Sequence, residues 1–179
     1  MRILRNRTLL ATLIATSVWI GWGAWTWATE EDFTAFKLRI RERFPSVAQL
    51  STADLAAWLN DPKRGQPILL DVRTEKEFAV SHLPGATRVE PSAKVEKVLA
   101  QLPPGRAVVT YCSVGYRSSD FAERLKQAGA AEVFNLEGSI FQWANEGRPI
   151  EADGHPADKV HPYNRKFGQM LDEKKRANP

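Results

Sequence analysis

The stretch Ala107-Val108-Val109-Thr110-Tyr111-Cys112-Ser113-Val114-Gly115-Tyr116-Arg117-Ser118 decides how this chain is read. A short apolar run, rich in β-branched residues, ends at a cysteine. A glycine, an arginine and a serine follow before helical spacing begins with Phe121, Ala122, Leu125 and Ala128. Apolar at consecutive positions, the run fits a strand buried on both faces, as strands of a helix-covered parallel sheet are. Its carboxyl end opens into a loop that enters a helix, and ligands of open α/β sheets bind at that edge. Backbone N–H groups of such a loop, with the positive end of the helix dipole, favour a thiolate over a thiol at Cys112. Gly115 allows a tight curl, and Arg117 adds a fixed charge to the rim. The competing reading of a lone cysteine is a buried, inert one. The coincidence of strand, glycine, arginine and helix makes Cys112 the candidate nucleophile, with Ser113, Val114, Gly115, Tyr116, Arg117 and Ser118 as candidate substrate-binding residues.

Upstream and downstream, short apolar runs alternate with amphipathic patterns, the order of strands joined by crossover helices. Residues 47–50 read as a strand, and Ser51 with Asp54 starts a helix carrying Leu55, Trp58 and Leu59. Ile68, Leu69 and Leu70 form a second buried run, and Thr74 with Glu77 caps the next helical turn. A short strand at residues 87–89 precedes a helix carrying Val95, Val98, Leu99 and Leu102, which Pro103-Pro104-Gly105 ends. After the cysteine loop and its helix, Val133 and Phe134 read as a last strand. Ile140, Phe141, Trp143 and Ala144 read as a last helix, closed by Gly147. Asp71 and Arg73, at a strand end, read as an ion pair or hydrogen-bonding frame and not as catalytic groups. His82 reads as a turn residue, because a thiolate held by backbone dipoles needs no general base. From residue 151 to 179 no period is evident, and His155 and His161 read there as tail polar groups, not as a metal site.

Two separated segments resemble the rhodanese family of sulfurtransferases, and the resemblance covers roughly residues 47–150. Leu70-Asp71-Val72-Arg73-Thr74-Glu75-Lys76-Glu77-Phe78 with His82-Leu83-Pro84-Gly85-Ala86 is similar to the family's upstream signature. Tyr111-Cys112-Ser113-Val114-Gly115-Tyr116-Arg117-Ser118 is similar to its active-site loop. Asn135-Leu136-Glu137-Gly138 with Trp143 resembles a third family segment, in which a second glycine is frequent where this chain has Ser139, a change expected to alter only a helix cap. The resemblance implies an α/β domain, a central parallel sheet with helices on both faces. It also implies a two-step sulfur transfer through a persulfide on Cys112, from a small donor such as thiosulfate to cyanide, an external thiol or a reducing protein. That reaction uses no metal and no cofactor. A phosphatase reading fits less well: the loop from Cys112 to Arg117 inclusive has six residues, suited to a single sulfur, whereas the phosphatase relatives resemble a wider Cys-x5-Arg cradle. A third possibility is a tethered binding or regulatory module of the same fold without catalysis.

The ends of the chain differ in composition from this middle. Arg2, Arg5 and Arg7 precede an uncharged run over residues 8–29, long enough for a membrane-spanning helix, which needs roughly 20 mostly apolar residues. Trp19, Trp22, Trp25 and Trp27 crowd its far end, where amphipathic rings prefer the headgroup level. Residues 1–29 are thus expected to be an uncleaved single-pass anchor, a cleaved signal being the alternative. The arginines favour a cytoplasmic N-terminus and an extracytoplasmic, periplasmic-side domain, although Lys37, Arg39, Arg41 and Arg43 lie just beyond the run. Residues 30–45 form a juxtamembrane linker in which Phe33, Phe36, Ile40 and Phe44 share a helical stripe. The sequence leaves open whether that stripe meets lipid or the domain. The 179 residues therefore divide into anchor, linker, a domain at 46–150 and a tail at 151–179. With 43% hydrophobic residues the domain has material for a core. A single cysteine excludes an internal disulfide or a cysteine zinc cluster. The formal charge of +4 is spread out or sits in short flanking clusters, which points to a membrane surface and away from nucleic acid.

Overall fold

The computed structural model describes residues 23–178. Five strands, β1 (Ala48–Leu50), β2 (Ile68–Asp71), β3 (Thr87–Arg88), β4 (Val108–Tyr111) and β5 (Val133–Leu136), form one parallel sheet in the order β1-β5-β4-β2-β3. The strand that leads to Cys112 is therefore central, with Val108 opposite Ile68 on one side and Val133 on the other. Helices α2 (Thr52–Leu59), α3 (Glu75–Val80), α4 (Val95–Gln101) and α5 (Tyr116–Gln127) make the connections, as parallel pairing requires, and α6 (Ser139–Asn145) follows the last strand.

Continuous apolar strands have a visible use here. Leu69 and Val109 enter one core with Leu55 and Trp58 of α2 and Ile140, Phe141 and Trp143 of α6. Leu70 and Val108 enter a second core with Val95 of α4 and Phe121 and Leu125 of α5. Successive residues of a strand point to opposite faces, so both layers are filled from one run. The helix starts are built as their sequences suggest: Ser51 Oγ accepts from the Asp54 N–H at 3.0 Å, and Thr74 with Glu77 forms a reciprocal capping box.

The flanks are a different matter. The uncharged run expected to anchor the chain lies mostly outside the described residues, as do Arg2, Arg5 and Arg7. No helix among the described residues is long and apolar enough to cross a membrane. The expected linker is no separate unit but the latter part of one helix, α1 (Gly23–Arg43), and the domain takes its stripe. Phe33 and Phe36 pack on the core of α2 and α6. Ile40 and Phe44 are buried in the core of α4 and α5. Two basic residues counted above toward a membrane are engaged on the domain instead: Arg41 makes a bidentate pair with Glu137 at 2.6 and 2.9 Å, and Lys37 donates to Gln142 at 3.1 Å.

The expected tail is likewise folded. Strands β6 (Ile150–Ala152) and β7 (His155–Ala157) form an antiparallel hairpin whose turn residues, Asp153 and Gly154, both have positive φ, as a two-residue hairpin turn demands. Glu151 exchanges backbone hydrogen bonds with His82 at 2.8 and 2.9 Å. Beyond the hairpin, Val160 and Leu171 are fully buried in the core of α2 and α6, and short 3-10 turns occupy Phe167–Met170 and Glu173–Lys175.

Candidate active site

Tyr111 ends β4, and the chain turns through Cys112, Ser113, Val114 and Gly115 before α5 begins at Tyr116. Gly115 makes the turn at φ +111°. A β-carbon there would lie 3.3 Å from Ile40 of α1 and 3.4 Å from the Asn135 amide, so conformation and space both call for glycine. The Gly115 N–H is 3.2 Å from Cys112 Sγ. Burial pushes the Cys112 thiol up, but the Arg117 guanidinium, Ser118 and the Gly115 N–H outweigh it and hold the thiol below its ordinary range.

The loop is clamped from beneath by the first turn of α6. Ile140 N–H donates to the Cys112 carbonyl at 3.2 Å, and Phe141 N–H donates to that of Ser113 at 3.1 Å. Ser139 completes the clamp: its Oγ accepts from the Cys112 N–H at 3.1 Å and donates to the Leu136 carbonyl at 3.1 Å. The expectation that Ser139 alters only a helix cap is thus corrected. The residue stands at φ +51°, a strained region for a side-chain-bearing residue, and from there its hydroxyl satisfies the Cys112 N–H.

One carboxylate organises the other side. Glu77, which sequence reasoning used only as a cap, accepts from the Thr74 N–H at 3.0 Å and the Thr74 hydroxyl at 2.8 Å. It also accepts from the Ser113 hydroxyl at 2.9 Å and from both terminal nitrogens of Arg117 at 3.0 and 2.7 Å. Burial alone would raise its pKa, but the Arg117 bonds and charge, helped by Thr74, hold it at about 2. Glu77 in turn raises the pKa of Arg117 against the opposing effect of burial. Arg117 is therefore not a free cation on the rim but half of an ion pair, with the Tyr163 ring 4.7 Å from its guanidinium.

A cavity of about 330 Å³ opens over the sulfur, lined by Cys112, Ser113, Val114, Tyr116, Arg117, Phe36, Tyr163 and Phe167. The first five come from the loop read in the sequence. Phe36 of α1 and the tail's Tyr163 and Phe167 were not foreseen, because spacing in sequence says nothing of where distant segments return. Gly115 and Ser118 do not line the cavity. Gly115 offers its N–H to the sulfur, and the buried Ser118 hydroxyl donates to Asn135 at 2.6 Å. Asp71 and Arg73 stand apart as a frame. Both are fully buried, with Arg73 bonded to Asp71 at 2.6–3.1 Å and to the Ser81 carbonyl at 2.6 Å. His82 stacks on Phe78 in its turn and is not in the cavity. His155 lies in the exposed hairpin, whereas His161 is buried and its Nδ1 accepts from the Tyr163 N–H at 3.0 Å.

The rhodanese-like domain family model matches residues 51–146, which include the whole loop and its clamp. The chain belongs to that family. Within the rhodanese-like domains, a sulfurtransferase of Allochromatium vinosum is 38% identical over 106 residues, 59% of this chain and 96% of that protein. A tRNA uridine(34) hydroxylase of Enterobacter sp. is 22% identical over 161 residues, 80% of this chain but 45% of the hydroxylase, so this chain spans less than half of that relative. Among solved structures, a protein of Bacillus halodurans superposes with a TM-score of 0.58 at 22% identity, covering 74% of this chain and 94% of that one, a likeness of fold. Phe36, Tyr163 and Phe167 all lie outside the residues the family model matches.

Proposed function

We propose that the chain is a sulfurtransferase that carries sulfane sulfur as a persulfide on Cys112. The observation that carries this reading is a buried thiol, lowered in pKa, facing a cavity and receiving the backbone N–H of Gly115, the residue before α5. In the first step the Cys112 thiolate attacks the outer sulfur of a donor such as thiosulfate. The donor's S–S bond breaks and sulfite leaves with the electron pair. In the second step cyanide or a thiolate attacks the terminal sulfur of the persulfide, and thiocyanate or a new persulfide leaves as Cys112 thiolate is restored. With one cysteine in the sequence, the second nucleophile comes from outside, a small thiol or a reducing protein. The kinship with a sulfurtransferase of Allochromatium vinosum supports the reaction class.

The test is intact mass of the full-length protein after thiosulfate and then cyanide. One sulfur gained by the wild type, none by Cys112→Ser, and loss of that sulfur with thiocyanate release are expected. The rate of sulfur uptake should rise with pH and level off below the ordinary cysteine value of about 8.5. In Arg117→Met the rise moves to higher pH, because the charge that lowers the thiol's pKa is gone. A non-catalytic binding module, the competing reading, predicts no sulfur adduct and full cellular function of Cys112→Ser. Its support is the similarity to part of a larger protein of a different function, the tRNA uridine(34) hydroxylase of Enterobacter sp..

Attachment to a membrane through residues 1–29, with the domain on the extracytoplasmic side, is also part of the proposal. Its support is the length of the uncharged run and the arginines before it. Digestion of the domain by protease added to intact cells is the expected result, and protection reverses the topology. Recovery of a chain shortened at its N-terminus points to signal cleavage instead.

A further inference from the structure

The residues that close the cavity over Cys112 come from the two flanks, and they are aromatic. Phe36 of α1 meets Phe167 edge-on with ring centres 5.4 Å apart, and Tyr163 lies 5.8 Å from Phe167. Tyr116 on the opposite rim is held by Phe44, just after α1, edge-on at 5.2 Å. Tyr116 is 46% exposed and Tyr163 43% exposed, so large apolar surface is left open to solvent at the mouth of the cavity. Such surface, when it rims a concave site, marks a place where an apolar ligand binds.

The backbone of Tyr163 supports the same conclusion. It stands at φ +62°, unfavourable for a residue with a β-carbon, and its N–H is tied to His161 Nδ1 at 3.0 Å. Strain of this kind persists where the surroundings impose it, and here it sets a ring 4.7 Å from the Arg117 guanidinium. The charge balance of the cavity points the same way. Among the described residues Arg117 is the charged one that lines it, and both of its terminal nitrogens are bound to Glu77, so the described lining offers no net positive charge to a dianion. Burying a second negative charge without a partner costs far more than burying one that the loop N–H groups can serve.

We infer that Phe36, Tyr163 and Phe167 select a donor whose transferable sulfur is carried on an apolar, ring-sized body with a single negative charge, in preference to inorganic thiosulfate. This inference rests on the persulfide reading and names the substrate class of the same site. With an aryl thiosulfonate the Cys112 thiolate attacks the terminal sulfur, the bond between that sulfur and the sulfonyl sulfur breaks, and the aryl sulfinate leaves with the electron pair. The persulfide is the same as the one thiosulfate gives.

The experiment measures sulfur uptake by the full-length protein from benzenethiosulfonate, methanethiosulfonate and thiosulfate, each rate divided by that of free cysteine with the same donor. The expected order is benzenethiosulfonate over methanethiosulfonate by about tenfold, the scale on which an apolar pocket discriminates, and methanethiosulfonate over thiosulfate. Tyr163→Gly keeps the left-handed backbone while removing the ring, and Phe36→Leu keeps a core-filling side chain. Both are expected to bring the ratio of aryl to methyl donor toward one, and Tyr163→Phe to restore it. A wild-type ratio near one, a preference for thiosulfate, or an equal proportional loss on all donors in the variants overturns the inference while leaving the persulfide reading in place. Uptake from none of the three donors overturns both.

Discussion

The sheet with its cysteine loop and the N-terminal flank α1 are held by different forces. The loop is positioned by backbone: β4 pairs on both sides, and α6 donates two main-chain N–H groups to the carbonyls of Cys112 and Ser113. The flank α1, by contrast, is docked by side chains, through aromatic edges and an Arg41 pair whose arginine is 56% exposed. Backbone bonds place atoms with little dependence on residue type, which suits a nucleophile whose geometry must be kept. Side-chain contacts change with each substitution, which suits a wall that decides what enters. Under the proposed function, that difference would separate reaction from selectivity within a cavity of about 330 Å³.

If that division is right, damage should grade with the kind of support removed. The largest effect is expected from Asp71→Asn, at the end of β2. It takes the carboxylate from a fully buried Arg73 and should cost about 3–5 kcal/mol in urea unfolding, as leaving a buried charge unpaired does. Preserved stability would mean that water reaches Arg73 and that the frame is less rigid than the loop requires.

Glu77→Gln comes next, at the seam between loop and α3. Loss of its charge-assisted bonds should cost about 2 kcal/mol at neutral pH. Because the folded carboxyl is held at about 2, below an unfolded value of about 4.3, its contribution is present above the unfolded value and fades as pH falls toward 2. The wild type should therefore lose stability on acidification over that window faster than Glu77→Gln does. Parallel curves would assign the acid sensitivity to other groups.

Ser139 probes the clamp itself. Ser139→Ala and Ser139→Gly both remove the acceptor of the Cys112 N–H, but only glycine relaxes the backbone at φ +51°. The glycine variant is expected to be more stable by about 1 kcal/mol, and both should take up sulfur more slowly than wild type. Smallest of all, Arg41→Ala on the exposed flank should change stability by about 0.5 kcal/mol. A loss as large as that of Glu77→Gln would show that α1 is part of the loop's support, as the contact of Ile40 with the Gly115 position would then explain.

Much of this was legible in the residues. The run at 107–111, the cap at Thr74 and Glu77 and the helical stripe from Phe121 gave strand and helix in the right places, because local periodicity and capping chemistry are properties of adjacent residues. The hairpin after residue 150 escaped, although Asp153-Gly154 is a recognisable turn signal, because its strands have only three residues each and no alternating apolar pattern. The stripe of α1 was visible, but its partner was not: an apolar face looks the same whether it meets lipid or protein, and packing decided for the domain at Phe36, Ile40 and Phe44.

By itself, then, the sequence determined the succession of strands and helices from β1 to α6 and the place of Cys112 between a strand end and a helix start, since each depends on neighbours along the chain. Only the tertiary structure decided that Glu77 pairs with Arg117, that Ser139 holds the Cys112 backbone, and that Phe36, Tyr163 and Phe167 close the cavity. Those contacts join residues 27 to about 130 positions apart, and nothing in the local pattern of either partner encodes the other's position.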